Sequence, residues 1–231
     1  MGSGYYIGPS LEPDYDQKTE NEIAEEIIAD VKSGVGNTCI RAGIIGEIGC
    51  SWPLQDRERK SLLAAARAQH QTGAAINIHP GCHVDSPIEI INLLKAAGAD
   101  VSRVVISHID RIIHPLSKRL ELADKNCYLE YDLFGGNQFN PIDMGVCPRP
   151  CDRERIEQII ELINAGYLKQ ILISQDICVK TRLLRNGGHG YAHVLRNIVP
   201  YMLAWGITKE QIYTMLVENP KRLLTFAEVN K

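Results

Sequence analysis

The chain has 231 residues, with 25 Lys or Arg and 28 Asp or Glu, for a net charge of −3. That near balance lacks the strong positive field of a non-specific nucleic-acid binder. Hydrophobic residues at 45% and charged residues at 23% suit a soluble globular chain, no apolar run reaches the roughly 18–20 residues that cross a bilayer, and residues 1–6 lack the basic start and apolar core of a signal peptide.

Short apolar runs alternate with amphipathic ones along the whole sequence. Residues 5–7 read as a first strand. Thr19-Glu20-Asn21-Glu22 is a capping box ahead of Ile23, Ile27 and Ile28. A second strand is expected over 40–48, a helix over 54–71 and a third strand over 74–78. Ser86 before Pro87 predicts an N-cap and a helix facing inward through Ile88, Ile91 and Leu94. Strands follow at 104–107 and 127–131. The stretch 135–152, with its glycines and prolines, reads as a long loop. Asp152 is expected to cap a helix carrying Ile156, Ile159, Ile160 and Ile163. A sixth strand over 170–174 and helices over 191–205 and 209–216 complete the order.

The strand candidates are continuous apolar runs, the pattern of a parallel sheet covered on both faces. Six βα units of about 30 residues form a single α/β domain over residues 1–231, either an incomplete barrel or a doubly wound open sheet. The seven cysteines are odd in number and scattered, which predicts reduced thiols in a cytoplasmic protein rather than a disulfide framework. Cys147 and Cys151 have no second Cys or His pair nearby, so they do not make a structural zinc site.

Four of these strands run into Glu47, His79, His108 and Asp176. The carboxyl ends of parallel strands lie on one face, so these side chains can converge. Carboxylate oxygen with neutral imidazole nitrogen suits zinc or a similar divalent ion. Taken singly, each has a plainer reading, the histidines as hydrogen-bonded core groups and the aspartate as a turn residue. His189 sits in Gly187-Gly188-His189-Gly190, whose glycines permit tight turns facing the site. Lys180 and Arg182 follow Asp176 closely and are candidates for binding an anionic substrate group, a surface role being the alternative. His83, His114 and Trp52 would lie near the mouth, while His193 reads as structural and His70 as solvated.

The stretch from Arg41 through Glu47 to Gly49, the strand ending in His79, Ser107-His108 and Ile173-Ser174-Gln175-Asp176 resemble the phosphotriesterase-related family of the amidohydrolase superfamily. So do Tyr128-Leu129-Glu130-Tyr131-Asp132-Leu133-Phe134-Gly135, Lys180-Thr181-Arg182-Leu183, Asn186-Gly187-Gly188-His189-Gly190-Tyr191 and Glu218-Asn219-Pro220. The resemblance runs from about residue 3 to residue 226. It implies a TIM (β/α)8 barrel, here incomplete at about six units, with a centre of two metal ions, usually zinc. Glu47 would bridge them, His79 and His108 would hold the more exposed ion, and Asp176 would hold the other and accept a proton.

One departure is large: the family's His-x-His is absent from these residues. The sequence begins at what would be the third strand, as in a fragment, a short isoform or an incomplete gene model. One zinc rather than two is therefore expected, with weak activity or none. The edges left beside the first and last strands would favour a homodimer. The implied chemistry is metal-activated water attacking a small amide or ester, favouring an N-acyl amino-sulfonate or N-acyl amino acid such as N-acetyltaurine. Lactones and phosphoesters are alternative substrates. From another class, the chain could be an inactive remnant or interaction module. A nucleotide-binding sheet is disfavoured, because no strand opens into a glycine-rich phosphate loop.

Overall fold

In a computed structural model of the protein, residues 1–136 and 149–229 are described. Six parallel strands form one sheet: β1 (Gly2–Ser3), β2 (Ile44–Gly49), β3 (Ile76–His79), β4 (Val104–Ile106), β5 (Tyr128–Tyr131) and β6 (Ile171–Ile173). Their spatial order equals their sequence order, and every neighbouring pair is parallel. A doubly wound sheet reverses direction at a switch point, and none is present among these strands. The winding is that of an incomplete (β/α)8 barrel, with β1 and β6 at its edges.

Helices cover the outer face. They are α1 (Glu20–Lys32), α2 (Asp56–Thr72), α3 (Ser86–Ala96), α4 (Ile109–Ile112), α5 (Leu116–Ala123) and α6 (Asp152–Asn164), followed by α7 (Val199–Ala204), α8 (Lys209–Tyr213) and α9 (Asn219–Leu224). The capping box of α1 forms, with Thr19 Oγ1 accepting from the Glu22 amide at 3.2 Å and Glu22 accepting from the Thr19 amide at 2.7 Å. No helix among the described residues is long and apolar enough to cross a membrane.

The main core lies between sheet and helices and takes Ile76, Ile78, Val104, Ile106, Leu129 and Ile171 from the strands. Alternate strand residues point the other way. There Ala75, Val105, Tyr128 and Leu172 form a second, smaller cluster closed by Leu223 from α9. Toward the carboxyl ends the same face turns polar, with Asn77, Ser107 and Glu130. The strands are thus apolar on both faces over only part of their length. The end of the chain is tied beneath the sheet. Asn219 Nδ2 donates to the carbonyls of Leu168 and Ile171, at 2.9 and 2.7 Å. Arg103 donates to the Leu223 carbonyl at 2.8 Å. The Ala227 amide donates to Gly73 O at 2.9 Å, and a Cβ on Gly73 would lie 2.1 Å from the Ala227 carbonyl oxygen.

Several boundaries differ from the sequence reading. The first strand is Gly2–Ser3 rather than 5–7. Gly2 lets β1 approach β2 so closely that a Cβ there would sit 1.8 Å from Gly46 O. Asp85, not Ser86, caps α3, and Cys151, not Asp152, caps α6. The helices expected over 191–205 and 209–216 contain π-helical turns at Val194–Ile198 and Thr214–Glu218. Each such turn precedes a proline, Pro200 or Pro220, which has no amide hydrogen to continue the α ladder. Cys82 is disulfide-bonded, contrary to the all-reduced reading, while Cys39, Cys50, Cys127, Cys151 and Cys178 are free. Most of the expected 135–152 loop, including Cys147, lies outside the described residues.

Candidate metal centre

Glu47, His79 and His108 converge at the carboxyl ends of β2, β3 and β4. One ligand atom from each lies within 4.8 Å of the others, the only such group among the described residues. Local backbone aims them. The β2–β3 register shifts between Ile45 and Ile48, and such irregularities re-aim a strand side chain, here Glu47. Gly46 has φ +127°, and a Cβ there would lie 2.4 Å from Asn77 O, so only glycine fits beside Glu47. His108, two residues past β4, lies in the left-handed region at φ 58°. Its amide is held by Asp132, whose carboxylate oxygens accept at 3.1 and 3.2 Å.

The donors are close. His108 Nε2 lies 2.7 Å from His79 Nδ1, and Glu47 Oε1 lies 3.2 Å from the former and 3.4 Å from the latter. Asp132 Oδ1 sits 2.9 Å from His108 Nδ1, which turns Nε2 toward the cluster in the manner of carboxylate–histidine pairs at metal sites. Burial opposes charge on His108, but Asp132 and Glu47 outweigh it and raise its pKa to about 10. Burial also opposes ionisation of Glu47, yet the two imidazoles overcome this and lower its pKa to about 2. His79 is pushed down, chiefly by burial. A carboxylate held ionised beside one half-buried and one buried imidazole is a donor set that fits a divalent ion. Tyr6 Oη, 3.1 Å from His79 Nδ1, and Arg111 Nη2, 3.0 Å from His79 Nε2, form the rim.

Asp176 lies at the same end of the sheet, beyond β6, in the left-handed region at φ 42°. It falls outside the three-residue cluster. Its Oδ2 is 3.2 Å from Arg182 Nη1, which also donates to the Asp176 carbonyl. Burial first, then Asp132, raises its pKa, while His108 acts in the opposite sense.

Beside the cluster is a cavity of about 260 Å³ whose wall includes Arg149, Gln175, Thr181, Arg182 and His189. Two sequence candidates, Arg182 and His189, are therefore brought together. Lys180 is not: it is exposed, on a short turn at Lys180–Arg182, and absent from the wall. Trp52 and His83 stack on each other at the mouth with ring centroids 4.3 Å apart.

A largely buried network reaches the cavity. Arg155 and Asp110, both 0% exposed, pair at 2.6 Å, and Arg155 also donates to Asp152 at 2.6 Å. Asp152 accepts the Gly135 amide at 3.0 Å and lies 3.4 Å from His193 Nε2. The His193 ring is 4.4 Å from that of His189. The sequence reading missed Asp132, Arg111, Arg149 and this network. Asp132 directly follows β5 (Tyr128–Tyr131), the position pattern that singled out the other strand-end groups.

The phosphotriesterase family model matches residues 1–224. The chain is 48% identical to N-acetyltaurine hydrolase of Dictyostelium discoideum over 225 residues, covering 97% of this chain and 61% of that protein. Against N-acetyltaurine hydrolase of Bos taurus the identity is 46%, covering 97% and 64%. The chain thus spans less than two thirds of the length of these relatives. A resiniferatoxin-binding protein from Rhodobacter sphaeroides superposes with a TM-score of 0.92 at 36% identity, covering 97% of this chain and 62% of that one. The phosphotriesterase homology protein from Escherichia coli, complexed with phosphate in its active site, gives 0.86 at 30% identity, covering 96% and 73%.

Proposed function

The chain belongs to the phosphotriesterase family, and on that footing we propose that it is a zinc-dependent hydrolase of small N-acylated amino-sulfonates or amino acids. The observation that carries this reading is the convergence of Glu47, His79 and His108, with Asp132 behind His108. Relatives named N-acetyltaurine hydrolase at 44–48% identity make N-acetyltaurine the favoured substrate.

A divalent ion held by these three residues would acidify a water and polarise the acyl carbonyl. Asp132 keeps His108 oriented with Nε2 toward the ion. Asp176, whose pKa burial and Asp132 raise, takes the proton lost by the attacking water and returns it to the departing amine. Arg182 holds that carboxylate in place. The acyl–nitrogen bond breaks, giving a carboxylate and a free amine. Tyr6 and Arg111 border the acyl end. The open edges at β1 and β6 support a homodimer, which light scattering on the eluted protein tests.

Purified chain should take up about one zinc per molecule, the pattern of two imidazoles, one carboxylate and an open place. It should release acetate from N-acetyltaurine only when zinc is present. A zinc-loaded chain that releases no acetate from any acylated amino-sulfonate or amino acid would overturn the reading.

A further inference from the structure

His189 reaches the cavity wall from the segment after β6 and is exposed there. The loop that carries it is closed without help from its ring. The Gly188 amide donates to the Leu183 carbonyl at 3.0 Å, and the Gly190 amide to the Arg182 carbonyl at 2.9 Å. Gly190 O in turn accepts from the Gln175 side chain at 2.7 Å and from the His193 amide at 3.2 Å. The backbone on both sides of His189 is thus fixed. Among the described residues, no hydrogen bond uses its ring nitrogens.

The ring is set in place all the same. It tilts against the imidazole of His193, with centroids 4.4 Å apart and planes at 41°. Gly135, in the left-handed region at φ 78°, fits beneath both rings: a Cβ there would lie 2.8 Å from the Cδ2 of each. His193 is itself only 6% exposed and has a partner at each nitrogen. Asn197 Nδ2 donates to its Nδ1 at 2.8 Å, which leaves the ring hydrogen on Nε2, 3.4 Å from Asp152 Oδ2. Asp152 also accepts from the Gly135 amide at 3.0 Å and from Arg155 at 2.6 Å. One carboxylate therefore holds both surfaces against which the His189 ring lies.

An imidazole offers a donor or an acceptor at each nitrogen, and a group ordered in advance loses less freedom when it binds. A ring that served only to order its loop would bond to that loop, and this one does not. We infer that His189 is a substrate-binding residue whose ring hydrogen-bonds the part of the substrate lying in the cavity, and that His193, Asp152 and Gly135 are positioning residues for it. That the substrate is an N-acylated amino-sulfonate or amino acid rests on the hydrolase reading. The contact itself rests on the cavity and the ordered ring.

The test titrates the full chain, stripped of metal so that no turnover occurs, with N-acetyltaurine, read by calorimetry and by nitrogen NMR of the imidazoles. The ring signals of His189 should move, while those of His70, exposed on α2, stay. His193 should carry its hydrogen on Nε2 throughout. His189→Ala should weaken binding by about three- to tenfold, the effect of one hydrogen bond, with zinc uptake unchanged. His193→Ala should weaken it less and add nothing once His189 is gone. His193→Gln, which keeps a donor for Asp152, should regain part of that loss. Unmoved His189 signals, or equal binding by His189→Ala, would overturn the inference. Additive effects of the two alanine substitutions would overturn the positioning half of it. Zinc-dependent acetate release by the unaltered chain decides the hydrolase reading separately. Its absence while the His189 signals move defeats that reading and keeps the contact, and its presence while they stay still does the reverse.

Discussion

The cluster and the cavity lie side by side but are built differently. Glu47, His79 and His108 stand where strands of a parallel ladder end, and the ladder fixes their spacing to one another. The cavity wall comes from segments after β5 and β6, which have no ladder. Side-chain clamps hold it instead: Asp152 on the Gly135 amide, Arg182 on the Asp176 carbonyl, Gln175 on Gly190. The donors of the cluster thus sit on rigid elements while the cavity wall sits on loops. Substitutions in the first region should change metal binding without altering folding much. Substitutions in the clamps should do the opposite.

The sharpest break in that comparison is His108→Ala, which leaves Glu47 and His79 as the only donors of the cluster. Zinc binding should be lost altogether, because two protein ligands do not make a zinc site. Titration against a competing chromophoric chelator reads this, and a variant that still binds one zinc would show that another residue serves. Next comes the clamp region. Arg155→Met leaves the buried Asp110 and the half-buried Asp152 without their cation, and breaking a buried pair such as Arg155–Asp110 costs ~3–5 kcal/mol. Urea unfolding should show that loss with little change in the slope. A loss under ~1 kcal/mol would mean that the network is already loose.

These outcomes follow the same line that divides what was legible in the sequence from what was not. Glu47, His79 and His108 could be read from sequence because each ends an apolar run, and a parallel sheet puts such ends together. Glu47 needed more than that, since its aim depends on the register shift beside Gly46, which no period reveals. The first strand was misplaced because glycine carries no side-chain pattern: Tyr5 and Tyr6 looked more strand-like than Gly2 and Ser3. The π-helical turns were hidden because helical spacing runs through Pro200 and Pro220 with little disturbance. Arg149 was invisible as a site residue because only the folded loops bring it to Arg182, some 30 positions away in the chain. Lys180 and Arg182 looked equivalent, and the turn that bears both sends one to solvent and the other to Asp176.

Behind the cluster, Asp132→Asn tests how far the strand ends are self-sufficient. Asparagine keeps the size but removes the charge that favours protonated His108 and orients its ring. Zinc affinity should fall by about 10–100-fold, the usual cost of losing such an outer partner, while the urea midpoint changes less than in Arg155→Met. Unchanged affinity would show that His108 is aimed by its backbone alone.

The smallest effect concerns Glu130, on the inward face of β5 between cluster and lower core. Ser107 Oγ donates to Glu130 Oε2 at 2.9 Å, and burial first, then Asp132, raises its pKa. The unfolded chain titrates this carboxyl near the ordinary value of about 4.3. Above that value the folded state binds more protons than the unfolded state, so this group makes stability fall as pH rises, until the folded carboxyl has also ionised. Glu130→Gln keeps the shape and removes the titration. The variant and the unaltered chain should therefore have similar thermal midpoints in mildly acidic buffer. In alkaline buffer the variant should gain on the unaltered chain. A difference that does not change with pH would mean that the Glu130 carboxyl titrates normally in the folded protein and that the polar inward face is wetter than its neighbours imply.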